Sequence, residues 1–290
     1  MLTLISRIFL VLSRILYRAG LFLDRHVDRA HVKRSARLHD MVSHPDEPFY
    51  AGQYLHWIMP VLDALYPGGD ILLLDLACGQ GRLTLPLAEW NRKGNVICVD
   101  FTEEAVRKAE EYSRMKRLNN VTFRVSDMLE YLKDIDSGTV DVVTCIEVLY
   151  MVGKQDEVIE EIFRVLKPGG VAFLGFRSRY YNLVDCIRRR MFESAKMVLE
   201  TEEGKIMGSP VWFSWYTRAR IEERLREKGF REIRCRGIGP CSGIEGDPLA
   251  DIARPSLLGA REQTALFAIE IEAADAYADC SRYILAIAAK

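Results

Sequence analysis

The sequence predicts an α/β fold in which a mostly parallel sheet is covered by helices on both faces. Five apolar segments recur between Ile71 and Phe176 with helical stretches between them. The first, Ile71 to Leu74, is apolar without alternation, as a strand buried on both faces is. It stops at Asp75 and passes into a turn bearing Gly79 and Gly81, whose missing Cβ atoms let the backbone bend tightly and approach a ligand. With 290 residues, 49% of them apolar and 28% charged, the chain has room for one such core plus additions.

The elements follow in order. The turn predicts a helix starting near Arg82, and a second strand, Asn95 to Val99, ends on Asp100. Asp100 lies 19 residues past Gly81 (100 − 81), a spacing that places a carboxylate to accept hydrogen bonds from both hydroxyls of a ribose. A third strand, Val121 to Val125, runs through Ser126 into Asp127 and Met128, an acid and a flexible apolar side chain that suit the amine and the ring face of an adenine. The fourth, Val140 to Cys145, leads to Glu147 and Tyr150, and a further helix closes at Leu166-Lys167-Pro168-Gly169-Gly170 before a fifth strand, Val171 to Phe176. Beyond it, Thr217 to Lys228 reads as a helix ended by Gly229, Phe230 to Cys235 as a strand, Ser256 to Ala278 as a helix, and Arg282 to Ala288 as the last strand.

In this combination the chain resembles a class I S-adenosylmethionine-dependent methyltransferase. The resemblance rests on the DxAxGxG of Asp75 to Gly81, on Asp100, on Asp127-Met128 and on the LKPGG of Leu166 to Gly170, and covers roughly residues 70 to 176. It implies a seven-stranded Rossmann-like sheet with an antiparallel last strand and S-adenosylmethionine as cofactor; with no CxxC and no close metal-ligand cluster among the seven cysteines, no metal is expected. The implied cofactor-binding residues are Asp75, Ala77, Gly79 and Gly81 at the turn, Asp100 and Phe101 at the ribose, Asp127 and Met128 at the adenine, and Glu147 beside the methyl-transfer site. No catalytic residue is implied, because methyl transfer can proceed by holding a nucleophilic acceptor in line with the sulfonium.

The competing readings are weaker. A nicotinamide dehydrogenase would want a third glycine at position 84, where this chain has Thr84. Enzymes that methylate exocyclic base nitrogens carry an Asn/Asp-Pro-Pro-aromatic turn after strand four, where Cys145-Ile146-Glu147-Val148 stands. Outside the N-terminal segment the body is acidic, so no nucleic-acid partner is expected, although a nucleic-acid or protein methyltransferase remains the alternative among transferases. From another class, a catalytically silent cofactor-binding subunit would show the same motifs.

The residues on either side of the motifs set the remaining expectations. The seven cysteines form no CxxC pair, which favours reduced, apolar thiols in a cytoplasmic protein. Up to His39 eight basic residues stand against two acids, a net of +6, and residues 1 to 18 pattern as an amphipathic helix with Arg7, Arg14 and Arg18 on one stripe. That segment is too short in apolar length to span a bilayer. Residues 1 to 23 suit either the interface of an anionic membrane, at its inner face, or a lid packed on the enzyme or on a second copy in a homodimer. Residues 1 to 60 therefore read as an N-terminal helical extension and lid, with Pro45 to Tyr54 as an aromatic loop over the cofactor, and residues 61 to 290 as the methyltransferase domain. Within the latter, residues 177 to 216 lack a strand pattern and are rich in arginine and aromatics, as a substrate cap would be. The expected acceptor is a small aromatic or lipophilic molecule, with arginine available for a carboxylate or phosphate.

Overall fold

The computed structural model describes residues 44–206 and 211–290. The amphipathic segment, the basic stretch after it and three of the five histidines, His26, His31 and His39, lie outside the described residues. From the first described helix onward the order is α1 (Glu47–Leu65), β1 (Leu72–Leu76), α2 (Thr84–Trp90), β2 (Asn95–Asp100), α3 (Glu103–Met115), β3 (Val121–Val125), α4 (Met128–Lys133), β4 (Val140–Cys145), α5 (Gln155–Val165) and β5 (Leu166–Arg177). There follow α6 (Arg179–Arg188), α7 (Phe192–Glu200), β6 (Glu203–Gly204), β7 (Phe213–Ser214), α8 (Arg218–Glu227), β8 (Arg231–Ile238), α9 (Ala260–Ala273) and β9 (Tyr283–Ala289).

Seven strands form one sheet in the order β3-β2-β1-β4-β5-β9-β8. Strands β1 to β5 pair in parallel, and β9 inserts antiparallel between β5 and β8, as the resemblance implies. The order reverses between β1 and β4, and in such open sheets ligands bind outside the carboxyl ends of the strands at that point. Successive residues of β1 feed opposite cores. Leu74 and Leu76 pack with α5 and α8 through Ile159, Ile162 and Ile221, whereas Leu73 packs with α1 and α2 through Ile58, Leu62 and Leu87. With both faces covered, polar alternation has no place in this strand, and each buried Leu or Ile contributes about 1.5–3 kcal/mol.

Several elements depart from their expected form. The aromatic loop expected at residues 45 to 54 is instead the first half of α1. Tyr50, Tyr54, Ile58 and Leu62 recur every four residues and are buried as one helical stripe against the sheet. The boundary at residue 60 falls inside this helix. The LKPGG segment opens β5 and does not extend α5: Leu166 pairs with Val140, Lys167 Nζ holds both oxygens of Asp141 at 2.8 and 2.9 Å, and the register slips between Val140 and Val142. Gly170 is required there, because a Cβ would stand 2.8 Å from the Asp141 carbonyl. The described residues between 177 and 216 include α6, α7 and the two-stranded β6–β7 ribbon, with a small core of Cys186, Ala195, Val198, Ile206 and Trp215. Near the end, α9 is shorter than expected because it starts only after Gly259, whose N–H donates to the Glu262 carboxylate at 2.9 Å.

Candidate functional site

At the end of β1 the chain reverses through a tight turn. Ala77 takes the left-handed φ of 54°, Gly79 and Gly81 take 55° and 87°, and the Gly81 N–H donates to the Cys78 carbonyl at 3.0 Å. The two glycines differ in what surrounds them. A Cβ on Gly81 would press on Leu85 and Ala109 at 3.2 and 3.3 Å, so that glycine seats the turn against α2 and α3. A Cβ on Gly79 would meet no described atom within 4 Å, which leaves an open backbone face of the kind a ligand can approach.

The turn is tied to the end of β2. The Gly79 N–H donates to Asp100 Oδ2 at 2.9 Å and the Thr102 N–H to Asp100 Oδ1 at 2.8 Å. Each carboxylate oxygen thus takes one backbone donor, and the Thr102 side chain adds a further hydrogen bond to the carboxylate. Burial raises the Asp100 carboxyl above its ordinary value, against the pull of those two N–H groups. Phe101, half-buried, sits between these anchors.

Asp75 lies deeper. Its oxygens accept from Thr84 Oγ1 at 2.5 Å and Thr144 Oγ1 at 2.7 Å, which locks β1 to α2 and β4. Burial pushes its carboxyl up to about 6, opposed by the two threonine hydroxyls. Thr84, standing where a nicotinamide fingerprint would have a glycine, is therefore a bracing residue beneath the turn. At the end of β3, Asp127 Oδ1 caps α4 by accepting from the N–H groups of Leu129 and Glu130 at 2.9 and 3.3 Å, and the half-buried Met128 packs on the neighbouring core.

After β4, Glu147 takes a left-handed φ of 56°. Gly175 on β5 permits this turn, since a Cβ there would lie 2.8 Å from the Glu147 nitrogen. Arg82, from the glycine turn, bridges two acids: it pairs with Glu147 at 3.0 Å and with Glu47 at the start of α1. Burial by itself would raise Glu147, but Arg82 and Arg282 outweigh it and hold the carboxyl below its ordinary value. Around this ion triad, four tyrosines come together from distant parts of the chain: Tyr54 on α1, Tyr150 after β4, Tyr181 on α6 and Tyr283 at the start of β9. Tyr150 Oη and Tyr283 Oη are 3.3 Å apart, and the Arg177 guanidinium lies 4.2 Å from the Tyr181 ring centre, 4.9 Å from Tyr283 and 5.8 Å from Tyr150.

The turn, Asp100, Phe101, Asp127, Met128 and Glu147 all end at the carboxyl edge of the parallel strands, whereas Asp75 stands behind that edge. Sequence reasoning missed the bridging role of Arg82 and the convergence of Arg282 and Tyr54 on Glu147. Arg82 offered one signal, a charged residue between the glycine turn and an apolar helix. Tyr54 and Arg282 are separated from Glu147 by 93 and 135 residues (147 − 54; 282 − 147) and carried none.

Residues 69–224, more than half of the chain, match the family model described as a methyltransferase domain. A ubiquinone biosynthesis O-methyltransferase of Methylococcus capsulatus is 34% identical over 106 residues, 37% of this chain and 43% of that relative. A tRNA N(3)-methylcytidine methyltransferase of Schizosaccharomyces pombe is 30% identical over 122 residues, 40% of this chain and 49% of the relative. The matched stretch thus spans less than half the length of either relative. Among solved structures, a SAM-dependent methyltransferase of Methanosarcina mazei superposes with a TM-score of 0.53 at 19% identity, covering 80% of this chain and 97% of the other, a likeness of fold.

Proposed function

Because this chain belongs to the class I S-adenosylmethionine-dependent methyltransferases, we propose that it moves the cofactor's methyl group to a small aromatic or lipophilic acceptor at the carboxyl edge of the sheet. The cofactor supplies the methyl as an electrophilic sulfonium substituent. The residues present fit it: an open backbone face at Gly79 for the methionine part, and at the end of β2 the Asp100 carboxylate, an acceptor oriented by the Gly79 and Thr102 N–H groups, for the ribose hydroxyls. In this proposal Ala77 and Gly81 shape the turn, Asp75 braces it, and Phe101 and Met128 flank the base. Asp127 accepts from the adenine amine while capping α4, and Glu147 borders the transfer site with Arg82 as its counter-ion.

The observation that carries the acceptor class is the tyrosine cluster beside Glu147. Tyr54, Tyr150, Tyr181 and Tyr283 gather at the strand ends, the usual ligand side of such a sheet, and Phe213 of the cap ribbon stacks on Tyr150 at 5.7 Å. The similarity to a quinone-pathway O-methyltransferase supports a lipophilic aromatic acceptor, and the net charge of −1 speaks against a phosphate-backbone partner in spite of the tRNA-modifying relative. In this proposal residues 177 to 216 serve as the cap over the tyrosine cluster and residues 1 to 60 as the N-terminal extension, with residues 1 to 23 at a membrane interface where a lipophilic acceptor would be met.

Calorimetry with S-adenosylmethionine, followed by methyl-transfer assays on hydroquinones, catechols and bulk tRNA, tests the proposal. Saturable cofactor binding and methylation of a hydroquinone or catechol support it. Cofactor binding with methylation of tRNA alone would replace the acceptor class, and turnover on none of the three, with cofactor bound, would favour the silent subunit.

A further inference from the structure

Around the tyrosine cluster, three arginines and three acids balance in number but not in place. Arg82, Arg177 and Arg282 stand against Glu47, Glu147 and Asp247. Two of the acids, Glu47 and Glu147, are both spent on Arg82, and Asp247 pairs with Arg282 at 3.1 Å. Arg177 is left with an amide, its Nε donating to Asn182 Oδ1 at 3.2 Å, and with the faces of Tyr181, Tyr283 and Tyr150. Among the described residues no carboxylate pairs with it. Tyrosine faces attract a cation but accept no fork of N–H bonds, and a guanidinium presents its donors in a plane matched to an oxyanion.

A second observation stands beside the first. Few side-chain polar atoms in the described residues are buried without a hydrogen-bond partner, and two of them adjoin Arg177: Tyr181 Oη and Asn182 Nδ2. Asp247 lies within reach of Tyr181 and is ion-paired with Arg282 Nε at 3.1 Å. Tyr181 Oη and Asn182 Nδ2 are both donors. Buried donors are ordinarily satisfied, and a convergent set of them beside a guanidinium without a carboxylate is suited to an acceptor-only group.

We infer that the acceptor carries an oxyanion, a carboxylate or a phosphate monoester, and that Arg177 receives it with Tyr181 and Asn182 as accessory donors. The inference rests on the methyltransferase reading and narrows it: the acceptor would present an aromatic or lipophilic body to the tyrosine cluster, with the anionic group fixing which atom faces the methyl. Arg177 is then a specificity-determining residue, since a site built for an anion discriminates strongly against the neutral analogue.

The test is calorimetric titration of the full chain, saturated with S-adenosylhomocysteine, with benzoate, phenyl phosphate and neutral phenol. At least one anion should bind about tenfold or more tightly than phenol. Arg177→Gln should reduce that anion to the level of phenol, and Tyr181→Phe, a milder change that keeps the ring, should weaken it several-fold, with S-adenosylhomocysteine affinity unchanged in both. The tighter of the two anions identifies the oxyanion. Normal S-adenosylhomocysteine binding with no preference for either anion, or a preference that survives both variants, overturns the inference while leaving the methyltransferase reading intact. Absence of S-adenosylhomocysteine binding in the unmodified protein removes both.

Discussion

The Gly79 N–H donates to Asp100 Oδ2 at 2.9 Å, so the two residues assigned to opposite ends of one cofactor's aminoacyl-ribose segment are bonded to each other. The bond orients the carboxylate and the turn together, and one oxygen contributes to both the fold and the proposed ribose contact.

Asp100→Ala should weaken S-adenosylmethionine binding by about 2–4 kcal/mol, because hydrogen bonds to a charged group contribute roughly 1.5–3 kcal/mol each and do not add fully. Calorimetry of the purified variant checks this. An affinity equal to the parent's in a folded variant would remove Asp100 from the ribose site.

Gly79 and Gly94 should respond oppositely to added side chains. Gly79→Val meets open space and only the strain of φ 55°, about 1–2 kcal/mol, so the variant should fold with a modest drop in Tm yet lose cofactor binding. Gly94→Ala would put a Cβ 2.3 Å from the Ile71 backbone, and should destabilise the whole sheet. Thermal melts with and without S-adenosylmethionine separate the two, and retained cofactor stabilisation in Gly79→Val would count against the open face as the binding surface.

Asp75 should make stability fall as pH rises. Its carboxyl stands at about 6 in the fold against 3.8 as its ordinary value, so the fold favours the protonated form. The resulting stabilisation is complete below about pH 3.8 and is lost as pH rises through about 6, about 3 kcal/mol in all at 1.36 kcal/mol per unit. Asp75→Asn removes this titration and can still bond both threonines. The stability of the variant relative to the parent, from urea denaturation, should therefore climb between about pH 4 and pH 8. A difference that stays flat over that range would show that Asp75 does not titrate there.

Arg82→Leu should cost about 3–5 kcal/mol, since it leaves Glu47 and Glu147 buried without their counter-ion. Adding Glu147→Gln should recover part of that loss. The single variant should also gain stability as pH falls toward 5, because a carboxyl freed of Arg82 and still buried protonates more readily. Denaturant midpoints of the single and double variants across pH read both effects; additive losses would argue that Arg82 and Glu147 act independently.

The parallel strands, their order of appearance, the glycine turn and the acids at the strand ends were legible in the chain. Each is a local consequence of composition: an apolar run buries on both faces, a glycine permits a positive φ, and an acid ends an apolar run. The antiparallel insertion of β9 was legible only through the motif resemblance. What local pattern misjudged was competition between elements. Pro45 to Tyr54 carries turn residues, yet the stripe of Tyr50, Tyr54, Ile58 and Leu62 wins because it buries against β1. The LKPGG segment reads as a helix end, yet Lys167 finds Asp141 on the neighbouring strand and joins the sheet.

By itself, then, the sequence determined the parallel strands and which backbone turn and acids end them, because those residues lie within a few positions of their own strand ends. Only the tertiary structure decided what faces those ends. Arg82 takes both Glu47 and Glu147, and Arg177 is left among Tyr150, Tyr181 and Tyr283, through contacts between residues far apart in the chain. The pairing of a buried charge depends on which opposite charge the packing brings within a few ångströms, and no periodicity along the chain encodes that distance.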